Sequence, residues 1–262
     1  YSVSSESALK TIIDVLNAVK NPHKKTVAML APAVIGQFGN DLGKVIAAFK
    51  KLGFDEVVEV AQGADVTTRN EAAEFIERME EGAKFMTTSC CPAWIAATEK
   101  HLPEIKPYVS DAHTPLYYTA EIAKKEHPDG ITVFISPCFA KRREVLDNPN
   151  INYVLNFEEL GAIFIAMRIE IDTCEEKEFT YQSSAEAREF ALSGGVAKSV
   201  QAAWRGEKDA VNPVIINGLD KAAIRDLRVY AKTGKCPLGN LIEVMSCSGG
   251  CVAGNAGLGA LK

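Results

Sequence analysis

The run TVFISPC (132–138) reads as a buried strand that halts at a proline and ends on a cysteine. Five other β-rich runs resemble it: TVAMLAP (26–32), EVVEVAQ (56–62), KFMTTSC (84–90), PVIING (213–218) and LIEVMSC (241–247). Helix-period stretches lie between and around them at 5–19, 41–52, 68–82, 119–127, 157–168 and 185–204, several opening at Ser, Asp or Thr and closing at Gly or before Pro. Short strands alternating with crossovers of helical length predict an α/β chain with mainly parallel sheets flanked by helices. The acidic stretch 170–178 is the one shift in composition. It reads as a surface loop between two lobes, approximately 1–170 and 171–262.

At 262 residues, 47% hydrophobic and 24% charged, the chain can bury a substantial core, which excludes disorder and coiled coil. Twenty-nine basic against thirty-four acidic side chains give a net charge of −5, contrary to a nucleic-acid binder. The longest apolar run, 27–36, is too short to cross a bilayer, so a soluble chain without membrane insertion is expected. No basic-then-apolar leader opens the sequence and its first residue is Tyr1, so the N-terminus reads as trimmed or cut from something longer.

Seven cysteines carry most of the chemical information: Cys90, Cys91, Cys138, Cys174, Cys236, Cys247 and Cys251. An odd count with a vicinal pair fits a disulfide scaffold poorly and favours reduced, metal-binding thiols in a cytoplasmic compartment. Three strand-like runs end at cysteine, and each is followed by a helical pattern or a glycine-rich turn. Ligands in open α/β sheets gather outside the carboxyl ends of strands, where the next helix offers N–H groups and a positive dipole end. Cys91, Cys138, Cys247 and Cys251 could therefore converge, as ligands of a tetrahedral zinc or of a cubane iron-sulfur cluster. The absence of a C-x-x-C pair and of ligand spacing among the four histidines weakens zinc. The run CSGGCVAG (247–254) suits backbone packed closely against a bulky ligand. Glu71 and Glu74 share one helical face, which by itself is an ordinary solvated acidic face.

Three segments together resemble the signatures of FeFe hydrogenases, in order along the chain: TSCCPAW (88–94), SPCFAKRRE (136–144) and EVMSCSGGC (243–251). LAPAVIGQFG (30–39) and FALSGGVAKSV (190–200) are similar to two more segments of that domain, and the resemblance extends over 26–259. It implies that 1–262 is a single H-cluster domain of two lobes with the active site in the cleft between them. Cys91, Cys138, Cys247 and Cys251 would hold the 4Fe-4S cubane of the H-cluster. Cys251 would also bridge to a diiron subsite bearing CO, CN and azadithiolate ligands. Lys141, the backbone at Pro32 and Ala33, and Met245 match the residues around that subsite. Cys90 matches the proton-relay thiol, with Glu71, Glu74 and Ser110 on the proton path. The implied activity is an oxidoreductase of anaerobic hydrogen metabolism, reversibly reducing protons to dihydrogen. A hydrogen-sensing relative and a non-catalytic iron-sulfur assembly protein are the alternatives. Ser136, Ala93, Asn255 and Ala256 depart from the family pattern and suggest a divergent subgroup. Since no ferredoxin-like spacing of cysteines precedes residue 26, electrons would come from a ferredoxin or from a fused or separate iron-sulfur module. Dedicated maturation proteins would insert the diiron unit.

Overall fold

A computed structural model describes residues 5–39, 41–179, 181–204 and 210–259. Its strands are β1 (Thr26–Leu30), β2 (Glu56–Glu59), β3 (Met86–Thr87), β4 (Ile131–Ile135), β5 (Tyr153–Leu155), β6 (Pro213–Asn217) and β7 (Leu241–Met245). The first five helices are α1 (Ser5–Ala18), α2 (Leu42–Leu52), α3 (Ala61–Glu80), α4 (Pro92–His101) and α5 (Pro115–Glu126). There follow α6 (Lys141–Leu146), α7 (Phe157–Ala166), α8 (Ala185–Arg188), α9 (Gly195–Ala203) and α10 (Lys221–Thr233). The fold is α/β, and among the described residues these strands pair in parallel throughout.

Two compact units share the chain. The first takes Tyr1–Val60, Thr119–Gln182 and Gly254–Lys262, and the second takes Ala61–Tyr118 and Ser183–Ala253. They are interleaved, where the sequence reading placed a single change of lobe near residue 170. The acidic stretch 170–178 lies wholly within the first unit, held by the Lys177 N–H donating to the Gly43 carbonyl at 3.0 Å.

In the first unit the sheet order is β2-β1-β4-β5. All five residues of β1 are buried, four of them apolar, as expected of a central parallel strand covered on both faces. Flanking helices start at side-chain caps: Asp41 accepts the Lys44 N–H, and Asn156 and Glu159 form a reciprocal capping box on α7. Edge-to-face contacts of Phe164 with Phe38 and Phe49 fill the core beneath.

The second unit's sheet has the order β3-β7-β6. Its core surrounds the fully buried Trp94, Leu102, Ile105 and Leu227, with Phe85 stacked on Tyr108 at 4.3 Å. Trp94 anchors α4, the helix that starts at Cys91. Trp94→Ala should cost about 3–5 kcal/mol of unfolding free energy, typical of a large aromatic removed from a packed core. Chemical denaturation measures it, and a loss below about 1 kcal/mol would contradict this packing.

Several sequence expectations change. The strand of EVVEVAQ stops at Glu59, and Ala61 and Gln62 instead open α3, seven residues ahead of the helix read from 68. Its first turns bury Ala61, Gly63 and Ala64, residues too small to print a clear apolar period. Only Met86 and Thr87 of KFMTTSC enter a ladder. The helix expected over 185–204 breaks into α8, a turn and α9. At the break Gly194 has φ +95°, and a Cβ on Gly195 would lie 1.9 Å from the Glu189 carbonyl oxygen, so only glycine permits this crossing. The third strand of TVFISPC's neighbourhood, β5, is three residues long and fell below the length at which a pattern can be read. Among the described residues no helix is long and apolar enough to cross a membrane.

Candidate active site

In the first sheet β1 lies between β2 and β4, so the connections leave it in opposite directions and the carboxyl ends of β1 and β4 flank a topological switch point. Pro32 opens a short 3-10 turn directly after β1, and Ala33 within it is fully buried. After β4, Ser136 accepts the Cys138 N–H at 3.2 Å, and the Pro137 carbonyl accepts the Ala256 N–H at 3.0 Å. Lys141 begins α6 with its side chain only 12% exposed and ion-paired to Glu144. Arg142 next to it turns to Glu159 on α7, at 2.5 and 2.6 Å. The first unit thus brings Pro32, Ala33, Cys138 and Lys141 to the carboxyl edge of one sheet.

Cys90, Cys91, Met245, Cys247 and Cys251 belong to the second unit, after β3 and at and after β7. Cys91 is the N-cap of α4, with Pro92 at the first helical position. Its Sγ lies 3.6 Å from Ser246 Oγ. Cys90, Cys91 and Met245 pack together with Ala61, Ala64 and Val196. The loop after β7 turns through Gly249 and Gly250 at φ +91° and +90°, with the Gly250 N–H bonded to the Cys247 carbonyl at 3.1 Å. A Cβ on Gly250 would stand 2.6 Å from both Ala191 O and Ser193 N. Glycine is therefore required there for the loop to carry Cys247 and Cys251 on one tight turn. Loss of water around the Cys90 thiol, followed by the charges of Glu71 and Glu243, pushes it well above its ordinary pKa. Cys91 and Cys251 are close enough to contribute to the same rise.

The donor set fits an iron-sulfur group: soft thiols, no disulfide among the described residues, and a glycine-lined loop. The fully buried Glu71 adds an orphaned polar atom. Its Oε1 accepts the Ser89 N–H at 3.0 Å and the Ser89 hydroxyl at 3.3 Å, while its Oε2 has no partner. Burial, reinforced by Glu74 and Glu243 and partly offset by Ser89, pushes the Glu71 carboxyl up to about 7. One helical turn on, Glu74 Oε2 accepts the Ser110 hydroxyl at 2.6 Å, and both Glu74 oxygens accept the Asp111 N–H, at 2.9 and 3.1 Å. Arg78 pairs with Glu74 at 2.5 Å and with Asp111 at 3.0 Å, and the Asp111 side chain is 94% exposed. Carboxyl and hydroxyl groups thus lead from the buried neighbourhood of Cys90 to the surface.

Residues 24–255 match the family described as iron only hydrogenase large subunit, C-terminal domain. The chain belongs to this family. It is 29% identical to Iron hydrogenase 1 of Clostridium pasteurianum, over 92% of this chain and 51% of that protein. The chain spans about half the length of the curated relatives it matches. It is also 30% identical, over 38% of its length and 19% of the other's, to the cytosolic Fe-S cluster assembly factor NAR1 of Candida dubliniensis. Among solved structures, the FeFe-hydrogenase HydA1 from Chlamydomonas reinhardtii superposes with a TM-score of 0.75 at 23% identity, covering 94% of this chain and 84% of that one. That likeness shows the hydrogenase fold.

The sequence reading of this hydrogenase domain left out four groups that the structure places in the site. Arg78 sits four residues after Glu74, a helical ion-pair spacing that could have been noticed. Ser89 and Ser246 lie inside the cysteine signatures, and Glu243 opens the last one. Nothing local says that Glu243 is wholly buried. Cys174 and Cys236 are both buried, Cys174 with its thiol on the Glu170 carbonyl and Cys236 in the core cluster against which Cys91 packs.

Proposed function

We propose that this chain is the H-cluster domain of an FeFe hydrogenase and reversibly reduces protons to dihydrogen. The observation that supports it most is the fully buried Glu71, which acts on Cys90 together with Cys91 and Cys251 and whose second carboxyl oxygen has no hydrogen-bond partner. Cys91, Cys138, Cys247 and Cys251 would hold the cubane, and Cys251 would also serve as a ligand for the diiron unit. When bound, the H-cluster supplies the site at which protons and electrons combine.

The remaining chemistry falls to this chain's own side chains. Glu74 and Ser110 exchange protons with the surface, Glu71 carries them through the interior, and Cys90 holds the last proton as a neutral thiol. A carboxyl with a pKa near 7 can both accept and release a proton at physiological pH, as a relay requires. By the family match, Met245 and the backbone at Pro32 and Ala33 would bind the diiron unit, and Lys141 would supply a cation for its anionic ligands. Electrons come from a ferredoxin or another iron-sulfur module, and maturation proteins load the diiron unit. A cytoplasmic location suits the reduced thiols.

Infrared spectroscopy of the matured protein tests this reading. Bound carbonyl and cyanide bands support the hydrogenase, whereas a cubane without them favours the assembly-protein reading. Lys141→Asn should leave the cubane in place and reduce retention of the diiron unit at least several-fold, read as the ratio of carbonyl absorbance to cubane iron. Unchanged loading removes Lys141 from the site and leaves it as the partner of Glu144.

A further inference from the structure

A buried carboxylate is costly unless its oxygens are satisfied. Glu243, on β7, is wholly buried and takes no part in the proton path described above. One of its oxygens accepts the Gly194 N–H at 2.7 Å and the other the Ala197 N–H at 2.8 Å. These groups open α9, and Gly194 at its N-cap has no side chain with which to cap them. Glu243 therefore caps α9 from a neighbouring strand. Burial nonetheless holds its pKa above the ordinary carboxylate value, partly offset by those N–H groups.

The turn held in this way, 192–195, is the one that meets the cysteine loop. Leu192 forms an antiparallel bridge with Gly250, and the Ser193 N–H donates to the Gly249 carbonyl at 3.3 Å. In the other direction, the charge of Glu243 reaches both Glu71 and Cys90. The other charged or titratable groups acting on Glu71 and Cys90 are Glu74 on α3 and the thiols Cys91 and Cys251. Lys198 on α9 is exposed and pairs with Glu189 at 2.5 Å. One carboxylate is thus shared by the helix, the cysteine loop and the relay.

We propose that Glu243 is a positioning residue which holds the 192–195 turn against the Cys247–Cys251 loop and keeps a carboxylate beside Glu71 and Cys90. Its link to the cysteine loop rests on the hydrogenase reading, while its link to Glu71 does not. The test uses the full chain with Glu243→Gln, which keeps the shape, loses the charge and turns an NH2 toward one of the two N–H donors. Infrared titration of the metal-free protein, with the Glu71 band assigned by its loss in Glu71→Gln, should show the Glu71 midpoint moving to lower pH. After reconstitution with ferrous iron and sulfide, the electron paramagnetic resonance of the reduced cubane should differ from wild type.

Gln201→Ala is the control, since Gln201 ties α9 to the Val211 carbonyl at 3.0 Å without touching Glu243 or the 192–195 turn. It should lower the melting temperature and move neither readout. If Glu243→Gln does not fold, Glu243→Asp keeps the charge but is one methylene too short to reach both N–H groups. It should retain the Glu71 midpoint and change the cubane signal. A Glu243 variant that melts earlier yet keeps the wild-type midpoint and cubane signal overturns the proposal and leaves a helix cap only. Failure of the hydrogenase reading is separately visible as missing carbonyl and cyanide bands, because the titration is done before iron is added.

Discussion

Cys90→Ala is expected to lower hydrogen evolution by about a hundredfold or more, the usual cost of removing a positioned acid-base group, with the infrared spectrum of the loaded cluster nearly intact. Cys90 immediately precedes the N-cap Cys91, whose backbone is extended, so the two successive side chains point in different directions. One thiol can then serve the cubane while the other faces the proton path. The Cys90 thiol is held neutral by loss of water and by the charges of Glu71 and Glu243, which suits a group that must give up a proton only when a stronger acceptor is presented. A methyl group cannot replace that donor. Near-wild-type turnover from a fully loaded Cys90→Ala protein would remove the thiol from the path.

The second large effect belongs to Glu71→Gln, which should slow turnover by about a hundredfold and also change stability in a pH-dependent way. The ordinary carboxyl value is 4.5 and the folded value about 7, so the folded state binds this proton more tightly than the unfolded chain does. The stabilising contribution is complete below about 4.5, and is lost as pH rises through about 7. Above that pH the wild type carries a buried carboxylate among Glu74, Glu243 and Cys90, while glutamine carries no charge. Relative to Glu71→Gln, the wild type should lose on the order of 3 kcal/mol between pH 4 and 8, an upper estimate because water can reach a locally opened site. Denaturation curves for both proteins across that range measure the difference. Parallel pH profiles would show that Glu71 has an ordinary pKa and would weaken its assignment as the interior relay.

The cysteine positions at the carboxyl ends of strands were legible in the amino-acid sequence, because a strand run, a proline and a following helix are local patterns. For the same reason the three-residue spacing of Glu71 and Glu74 places them on one helical face whatever surrounds α3. The order of the signature segments was equally available, and the family match over 24–255 agrees with it. Burial was not available. Glu71 is fully buried while Glu74 reaches toward exposed Asp111, although both carry the same side chain one turn apart. What separates them is the packing of α3 beside Ser89 and Ser110, contacts between residues 18 and 36 positions apart. Glu243 is a further case: its strand places it in the sheet, but its partners Gly194 and Ala197 lie 49 and 46 residues earlier. The interleaving of the two units and the break of 185–204 at Gly194 and Gly195 were likewise decided in three dimensions. A backbone crossing that leaves no room for a Cβ beside the Glu189 carbonyl exists only once the chain has folded back on itself. Local patterns set where thiols and carboxyls enter the chain, and long-range packing sets which of them lose water, so that the same group ends as a buried acid, a helix cap or a surface charge.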